Sequence, residues 1–136
     1  MKQKLIELLK ENNSGGTSLS ISTSLEEYVD KILQFSTIIP YVVQGEIKAF
    51  ISYYRNDSEG LYAFLTMLLV SEHFQGKGIG RLLLDTAIRD LESSGFQFFS
   101  LEVQKENKKA IRLYTNYGFQ IKEDKGETWL LEKILK

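Results

Sequence analysis

The chain has 136 residues, with 17 Lys and Arg against 18 Asp and Glu, one His, one Pro and no Cys. This length fits one domain over residues 1–136, and a content of 43% hydrophobic and 12% aromatic residues supports a packed core and excludes intrinsic disorder. Without Cys there are no disulfides, thiol nucleophiles or Cys-based zinc sites; one His leaves no metal cluster, and a net charge of −1 with a pI near 5.9 argues against a nucleic-acid partner.

In chain order, Leu5, Ile6, Leu8 and Leu9 recur at helical spacing, and the Asn-Asn-Ser-Gly-Gly run at 12–16 stops that helix. Glu7 interrupts its apolar residues, so this start lacks the core of a signal peptide. Residues 17–23 read as a loop or a weak strand. Ser24 followed by Glu27 is a capping-box signature, and Leu25, Tyr28, Val29, Ile32 and Leu33 then predict an amphipathic helix.

The period next changes to that of strands. Residues 38–43 and 47–54 form a predicted hairpin through Gln44, Gly45 and Glu46, with Pro40 demanding a strand start or an edge. The apolar run 61–70 has half the length of the about 20 residues that cross a bilayer, so it reads as a buried strand and no membrane is expected. A cytoplasmic location is the expectation. A helix over 81–94 carries Leu83, Leu84, Ala87, Ile88 and Leu91 on one face and ends at Gly95. A strand at 96–103 and a helix at 107–117 follow, the latter capped by Gly118. Residues 119–123 and 127–134 close the chain as a hairpin around Asp124, Lys125 and Gly126. The expectation is an α/β fold with a mixed, mostly antiparallel central sheet flanked by helices.

Between the strand at 61–70 and the following helix lie Gln75, Gly76, Lys77, Gly78, Ile79, Gly80 and Arg81. Glycines there admit positive φ and let a ligand approach the main chain, while a helix start supplies unpaired N–H groups; together they suit a phosphate or pyrophosphate. The P-loop and dinucleotide spacings both fail: no Gly-Lys pair precedes Ser or Thr, and Arg81 or Leu83 occupies the third glycine position. A connecting turn with no ligand is the plain alternative.

A second constellation follows: Leu101-Glu102-Val103, then Asn107, Ala110, Leu113-Tyr114 and Gly118-Phe119. With both in view, the sequence resembles the GNAT superfamily of acetyl-CoA-dependent N-acetyltransferases. The family's Q/R-x-x-G-x-G/A motif matches Gln75, Gly78 and Gly80, and its L-x-V…N-x-x-A-x-x-L-Y-x-x-x-G-F pattern matches residues 101–119. The resemblance covers residues 38 to 136 and implies a GNAT fold with acetyl-CoA as co-substrate and no metal. It implies that the pantetheine arm bonds Leu69 and Val70, at the end of what the family counts as its fourth strand. The pyrophosphate would sit on the N–H groups of residues 75–81, Asn107 would contact the cofactor arm, and Tyr114 would protonate the departing thiolate.

The chemistry is consistent with that reading. An amine of pKa about 10 must lose a proton before attacking a thioester, and a thiolate leaving group benefits from a proton donor. The oxyanion would be held by the N–H of Leu69 or Val70. Some members place a glutamate within the fourth strand, where Phe64 stands here. Glu102 points opposite its apolar neighbours and lies twelve residues before Tyr114, similar to the arrangement in ribosomal-protein alanine acetyltransferases. It reads equally as base or as a solvated strand residue.

His73 reads as a surface or packing residue and Tyr117 as core. Lys105, Lys108, Lys109 and Arg112 form a basic cluster, mostly a solvated helix face. Tyr53, Tyr54, Tyr62 and Phe64 read either as an acceptor pocket or as core. Residues 1–37 depart from the family pattern, so the acceptor is left open between a small-molecule and a protein amine, and the protein between monomer and homodimer. The alternative from another class is a non-catalytic domain of the same fold that senses acyl-CoA or docks a partner.

Overall fold

The expected apolar stripes at 5–9 and 83–91 are realised as buried helix faces in the computed structural model, which describes residues 1–11 and 25–136, while Leu33 of the 25–33 stripe is exposed. The possible strand at 17–23 and the Ser24 cap lie outside the described residues. Helix α1 (Lys2–Glu11) buries Leu5, Ile6, Leu8 and Leu9, and α2 (Leu25–Phe35) buries Val29 and Ile32. A hairpin of β1 (Thr37–Val43) and β2 (Glu46–Tyr54) follows, turning at Gln44 and Gly45 with φ of 52° and 80°. Next come β3 (Tyr62–Val70), a short 3₁₀ turn (Glu72–Phe74), α3 (Ile79–Ser93) and β4 (Phe98–Gln104). The chain finishes with α4 (Lys108–Asn116), β5 (Gln120–Asp124) and β6 (Thr128–Ile134).

Among the described residues a six-stranded sheet has the order β1-β2-β3-β4-β6-β5, with β3–β4 parallel and the other neighbours antiparallel. Pro40 sits on the edge strand β1, where its missing N–H costs no ladder bond. Helices α1 and α2 cover one face of the sheet, where Leu5, Leu8, Val29 and Ile32 pack with Phe50, Met67 and Leu69. On the other face α3 contributes Leu83, Leu84, Ala87 and Leu91, which pack with Ala49, Ile51, Leu65, Phe99 and Leu101. Burying a side chain of this size stabilises the fold by about 1.5–3 kcal/mol. A polar clasp adds orientation: the Tyr53 hydroxyl donates to Asp90 at 2.6 Å, and Arg55 reaches Asp90 and Ser94 from the same strand end.

Strand β4 begins two residues later than its sequence suggests. Gln97 and Phe98 both donate their N–H to the Leu61 carbonyl, at 2.9 and 3.0 Å, and Phe96 turns into the core. Helix α3 begins two residues earlier than expected, because Gly78 adopts a left-handed φ of 82° as its cap and Ile79 is already buried.

Two features of β3 set up the site. Ser52 pairs with Met67 and Tyr53 with Leu65, so Thr66 is an extra, bulged residue. The bulge moves the odd-numbered residues across the sheet: Ala63 and Leu65 belong to the α3 core, Met67 and Leu69 to the α1/α2 core. Pairing with β4 is confined to Tyr62–Phe98, Ala63–Phe99 and Phe64–Ser100. Beyond those pairs the two strands diverge.

Among the described residues no helix is long and apolar enough to cross a membrane, and no group of three or more His, Asp or Glu could hold a metal ion.

Candidate functional site

The divergence of β3 and β4 opens a cleft of about 420 Å³. Residues 65–70 form one wall, Glu102, Val103 and Gln104 the other, and Asn107, Lys109, Ala110, Leu113 and Tyr114 contribute from α4. The glycine loop closes the mouth with Gln75, Gly76, Gly78, Ile79, Gly80 and Arg81. Both sequence constellations therefore meet at one place.

Along the open edge, the bonding pattern of β3 is fixed by its partner on the far side. The Ser71 N–H donates to the Lys48 carbonyl at 2.8 Å. Antiparallel alternation then turns the main-chain groups of Leu69, paired with Phe50, toward β2, and those of Leu68 and Val70 toward the cleft. Val70 is where the sequence places a cleft-facing group; Leu68, its period-two neighbour, takes the position assigned to Leu69, whose side chain lies in the α1/α2 core. The Gln75 side-chain amide donates to the Val70 carbonyl at 3.0 Å, tying the loop to the strand.

Gly76 and Gly78 have φ of 77° and 82°, a conformation costly for residues with a Cβ. No side chain caps the first turn of α3, leaving its N–H groups directed at the cleft mouth. Gly80 is different: it has no positive φ, and a Cβ there would meet Val70 and Leu113 at 3.8 and 3.9 Å, an ordinary contact. Beside the mouth lies a depression of about 540 Å³ lined by Lys77, Arg81, Leu82, Asp85 and Tyr117 with Gly76 and Gly78. Lys77 stands 5.4 Å from the Phe74 ring centroid. An open strand edge, two left-handed glycines, an uncapped helix start and two cations are the donor set that an elongated thioester with a pyrophosphate requires, so the residues fit acetyl-CoA.

Asn107 caps α4, its Oδ1 accepting the Ala110 N–H at 3.2 Å, while the amide borders the cleft. Three tyrosines near this region have different hydroxyl environments. Tyr53 donates to Asp90 and Tyr117 to the Arg81 carbonyl at 3.3 Å. Tyr114 is 7% exposed, its ring edge-on to Phe119 at 5.6 Å, and its hydroxyl has no hydrogen-bond partner among the described residues. Burial pushes the Tyr114 hydroxyl well above the ordinary tyrosine pKa of 10, so it stays protonated.

Glu102 lies on the α1/α2 side of β4, exposed, and forms no ion pair among the described residues. Another carboxylate on that face is engaged: Glu132 takes the Ser100 hydroxyl at 3.2 Å and the Lys122 ammonium at 3.0 Å.

His73 is exposed on the 3₁₀ turn, and Tyr53 is core. Of the basic cluster, Lys105 is committed to Asp124 at 2.6 Å and to the Trp129 ring at 4.2 Å, while Lys109 borders the cleft. Thr66, Leu68 and Phe74 line the cleft without having been singled out by the sequence. Thr66 left one signal, a polar interruption within the apolar run of its strand.

Residues 3–119 match the family model described as the acetyltransferase (GNAT) family. That match takes in α1 and α2, which the sequence placed outside the resemblance. The chain is 42% identical over 57 residues to a [Ribosomal protein bS18]-alanine N-acetyltransferase of Salmonella typhimurium, covering 42% of this chain and 38% of the relative. It is 31% identical over 83 residues to a probable spermine N(1)-acetyltransferase of Bacillus subtilis subsp. natto, covering 57% and 55%. The chain thus spans less than two thirds of the length of these curated relatives. Its fold is similar to that of the PaiA N-acetyltransferase of Thermoplasma acidophilum in complex with coenzyme A, with a TM-score of 0.77, 19% identity, and coverage of 98% and 92%.

Proposed function

The chain belongs to the acetyltransferase (GNAT) family, and from that membership we propose that it transfers an acetyl group from acetyl-CoA directly to a primary amine. The observation that carries the proposal is the buried Tyr114 hydroxyl, without a hydrogen-bond partner among the described residues, on a cleft whose mouth is the glycine loop.

Acetyl-CoA supplies an activated acetyl thioester. The N–H groups of residues 75–81 hold its pyrophosphate, assisted by Lys77 and Arg81. The open edge of β3, at Leu68 and Val70, bonds the pantetheine amides as an added strand would, and Asn107 steadies the arm through its free amide. A Val70 or Leu68 N–H is aimed at the oxygen that gains negative charge. Glu102 takes the first proton from the incoming ammonium, directly or through water. Tyr114 hands its proton to the departing sulfur and recovers one from solvent, where the nitrogen's second proton is also released.

The relatives act, by name, on a ribosomal-protein alanine and on spermine, a protein amine and a small polyamine. Both are primary amines, and that is the breadth of acceptor proposed here.

A panel of protein N-terminal peptides, polyamines and amino sugars, assayed by thiol release from acetyl-CoA, tests the proposal. Turnover of at least one amine is expected, with Tyr114→Phe lowering kcat about 10- to 1000-fold and leaving cofactor affinity nearly unchanged. An unaltered kcat in Tyr114→Phe removes Tyr114 from its role. Tight acetyl-CoA binding with no turnover of any amine points instead to an acyl-CoA-sensing domain.

A further inference from the structure

The strand pairing gathers an apolar strip on the face of the sheet that α3 does not cover. Phe99, Leu101 and Val103 of β4 point into the α3 core, so Phe98, Ser100, Glu102 and Gln104 lie on the opposite face. Cross-strand partners share a face, which adds Tyr62 and Phe64 of β3 and Leu130, Glu132 and Ile134 of β6. The contacts agree: the Tyr62 and Phe98 rings stack at 5.0 Å and 16°, and Ser100 reaches Glu132. Helices α1 and α2 pack against this face at Phe50, Met67 and Leu69. Tyr62, Phe64, Phe98, Leu130 and Ile134 stand outside both core clusters of the described residues, with Tyr62 53% and Ile134 73% exposed. A contiguous apolar patch left to water marks a binding surface.

One end of the strip is the cleft. Leu130 is paired with Glu102, and Glu102 lines the cleft whose mouth is the glycine loop. From Glu102 the strip runs in one direction, since Gln104 and Asn107 on its other side border the cleft itself. Phe98 is four strand steps from Glu102, about 13 Å, the span of about four extended residues of a bound chain. The other carboxylates along this path are neutralised. Glu132 is paired with Lys122 at 3.0 Å, and Glu123, opposite Leu130 on β5, with Lys125 at 3.2 Å. A polyamine lying here would set its further ammonium groups against apolar side chains, with no free carboxylate beyond Glu102 among the described residues of the strip. A peptide with apolar side chains would bury them.

Resting on the acetyltransferase reading, we propose that this strip seats the acceptor, and that the acceptor is a protein or peptide N-terminus with apolar third and fourth residues. Its α-amine stands at Glu102, facing the thioester, and its chain runs down the sheet across Ser100 toward Phe98. The third and fourth side chains then cover Tyr62, Phe98 and Ile134. A free N-terminus suits a path that leaves the cleft in one direction, because a chain continuing past the amine would meet the cofactor.

The test measures kcat/KM for two N-terminal peptides alike except at residues three and four, Leu in one and Ser in the other, and for spermine, in wild type and in Ile134→Ser. Ile134 lies outside the core, so the substitution leaves the fold intact. The Leu peptide is expected to exceed the Ser peptide about tenfold, through KM, and to exceed spermine by at least as much. Ile134→Ser should shrink the Leu-to-Ser preference about three- to fivefold while acetyl-CoA affinity, read by calorimetry, stays within about twofold. Equal turnover of the two peptides, a preference untouched by Ile134→Ser, or spermine as the better acceptor each overturns the inference. So does a wild type that sediments as a dimer and becomes monomeric in Ile134→Ser, which gives the strip to a second copy. A wild type that turns over no amine removes the acetyltransferase reading itself, whereas one that turns over only non-peptide amines overturns this inference alone.

Discussion

Tyr114 and Glu102 share one cleft yet occupy opposite electrostatic situations, one hydroxyl buried without a partner among the described residues and one carboxylate open to solvent. This difference has a consequence in pH. The amine substrate has a pKa of about 10, so its neutral fraction grows about tenfold per pH unit below that value and kcat/KM should climb with it. The proton donor is lost only when Tyr114 ionises, and burial moves that event above the ordinary tyrosine value. The rate profile should therefore rise through neutrality with no falling limb below about pH 10. A falling limb centred between about pH 7 and 9 would show that another group protonates the sulfur. Tyr114 was singled out through the family resemblance, and Glu102 through the alternation of Leu101, Glu102 and Val103, where it read equally as base or as a solvated strand residue. Thr66 was not, because only its register against β2 makes it the bulged residue that lines the cleft.

At the level of elements, glycines with one motif role in the sequence separate into two physical kinds. Gly78 is left-handed with open space about it, so Gly78→Ala costs torsional energy of about 1–2 kcal/mol without any clash. Gly80 sits in the first turn of α3 with normal φ, where alanine is a better helix former by about 0.8–1 kcal/mol. Urea denaturation should show Gly78→Ala less stable than wild type and Gly80→Ala as stable or more so; equal losses would mean the loop is held by something other than its backbone conformation. Asn107 similarly combines a cap with a cleft position, and Asn107→Ala should lower stability by about 0.5–2 kcal/mol. The helices and the inner strands were readable from periodicity because each buries a face, whereas the closing hairpin was read around Asp124, Lys125 and Gly126, its strand β5 being exposed throughout. The bulge at Thr66 was not, since the apolar run of β3 shows no alternation to be broken; its consequence, the exchange of Leu69 for Leu68 at the cleft edge, was hidden with it.

For the molecule as a whole, function depends on a sheet that is incomplete by design of its register. Three residue pairs join β3 to β4, and the remainder of both strands is held from outside, by β2 and α3 on one side and β6 on the other. The Tyr53–Asp90 bond and the Arg55 contacts fasten the C-terminal end of α3 to the end of β2. The motif order disclosed the fold, whereas α2 and the sheet face it covers carry no short motif. Calorimetric titration with acetyl-CoA is the measurement that bears most directly on this account. One-to-one binding in the micromolar range, about −8 kcal/mol at 1 μM, is predicted for the wild type, weakened in Gly80→Ala at undiminished stability. No detectable binding at about 1 mM ligand, the range of −4 kcal/mol, would contradict it.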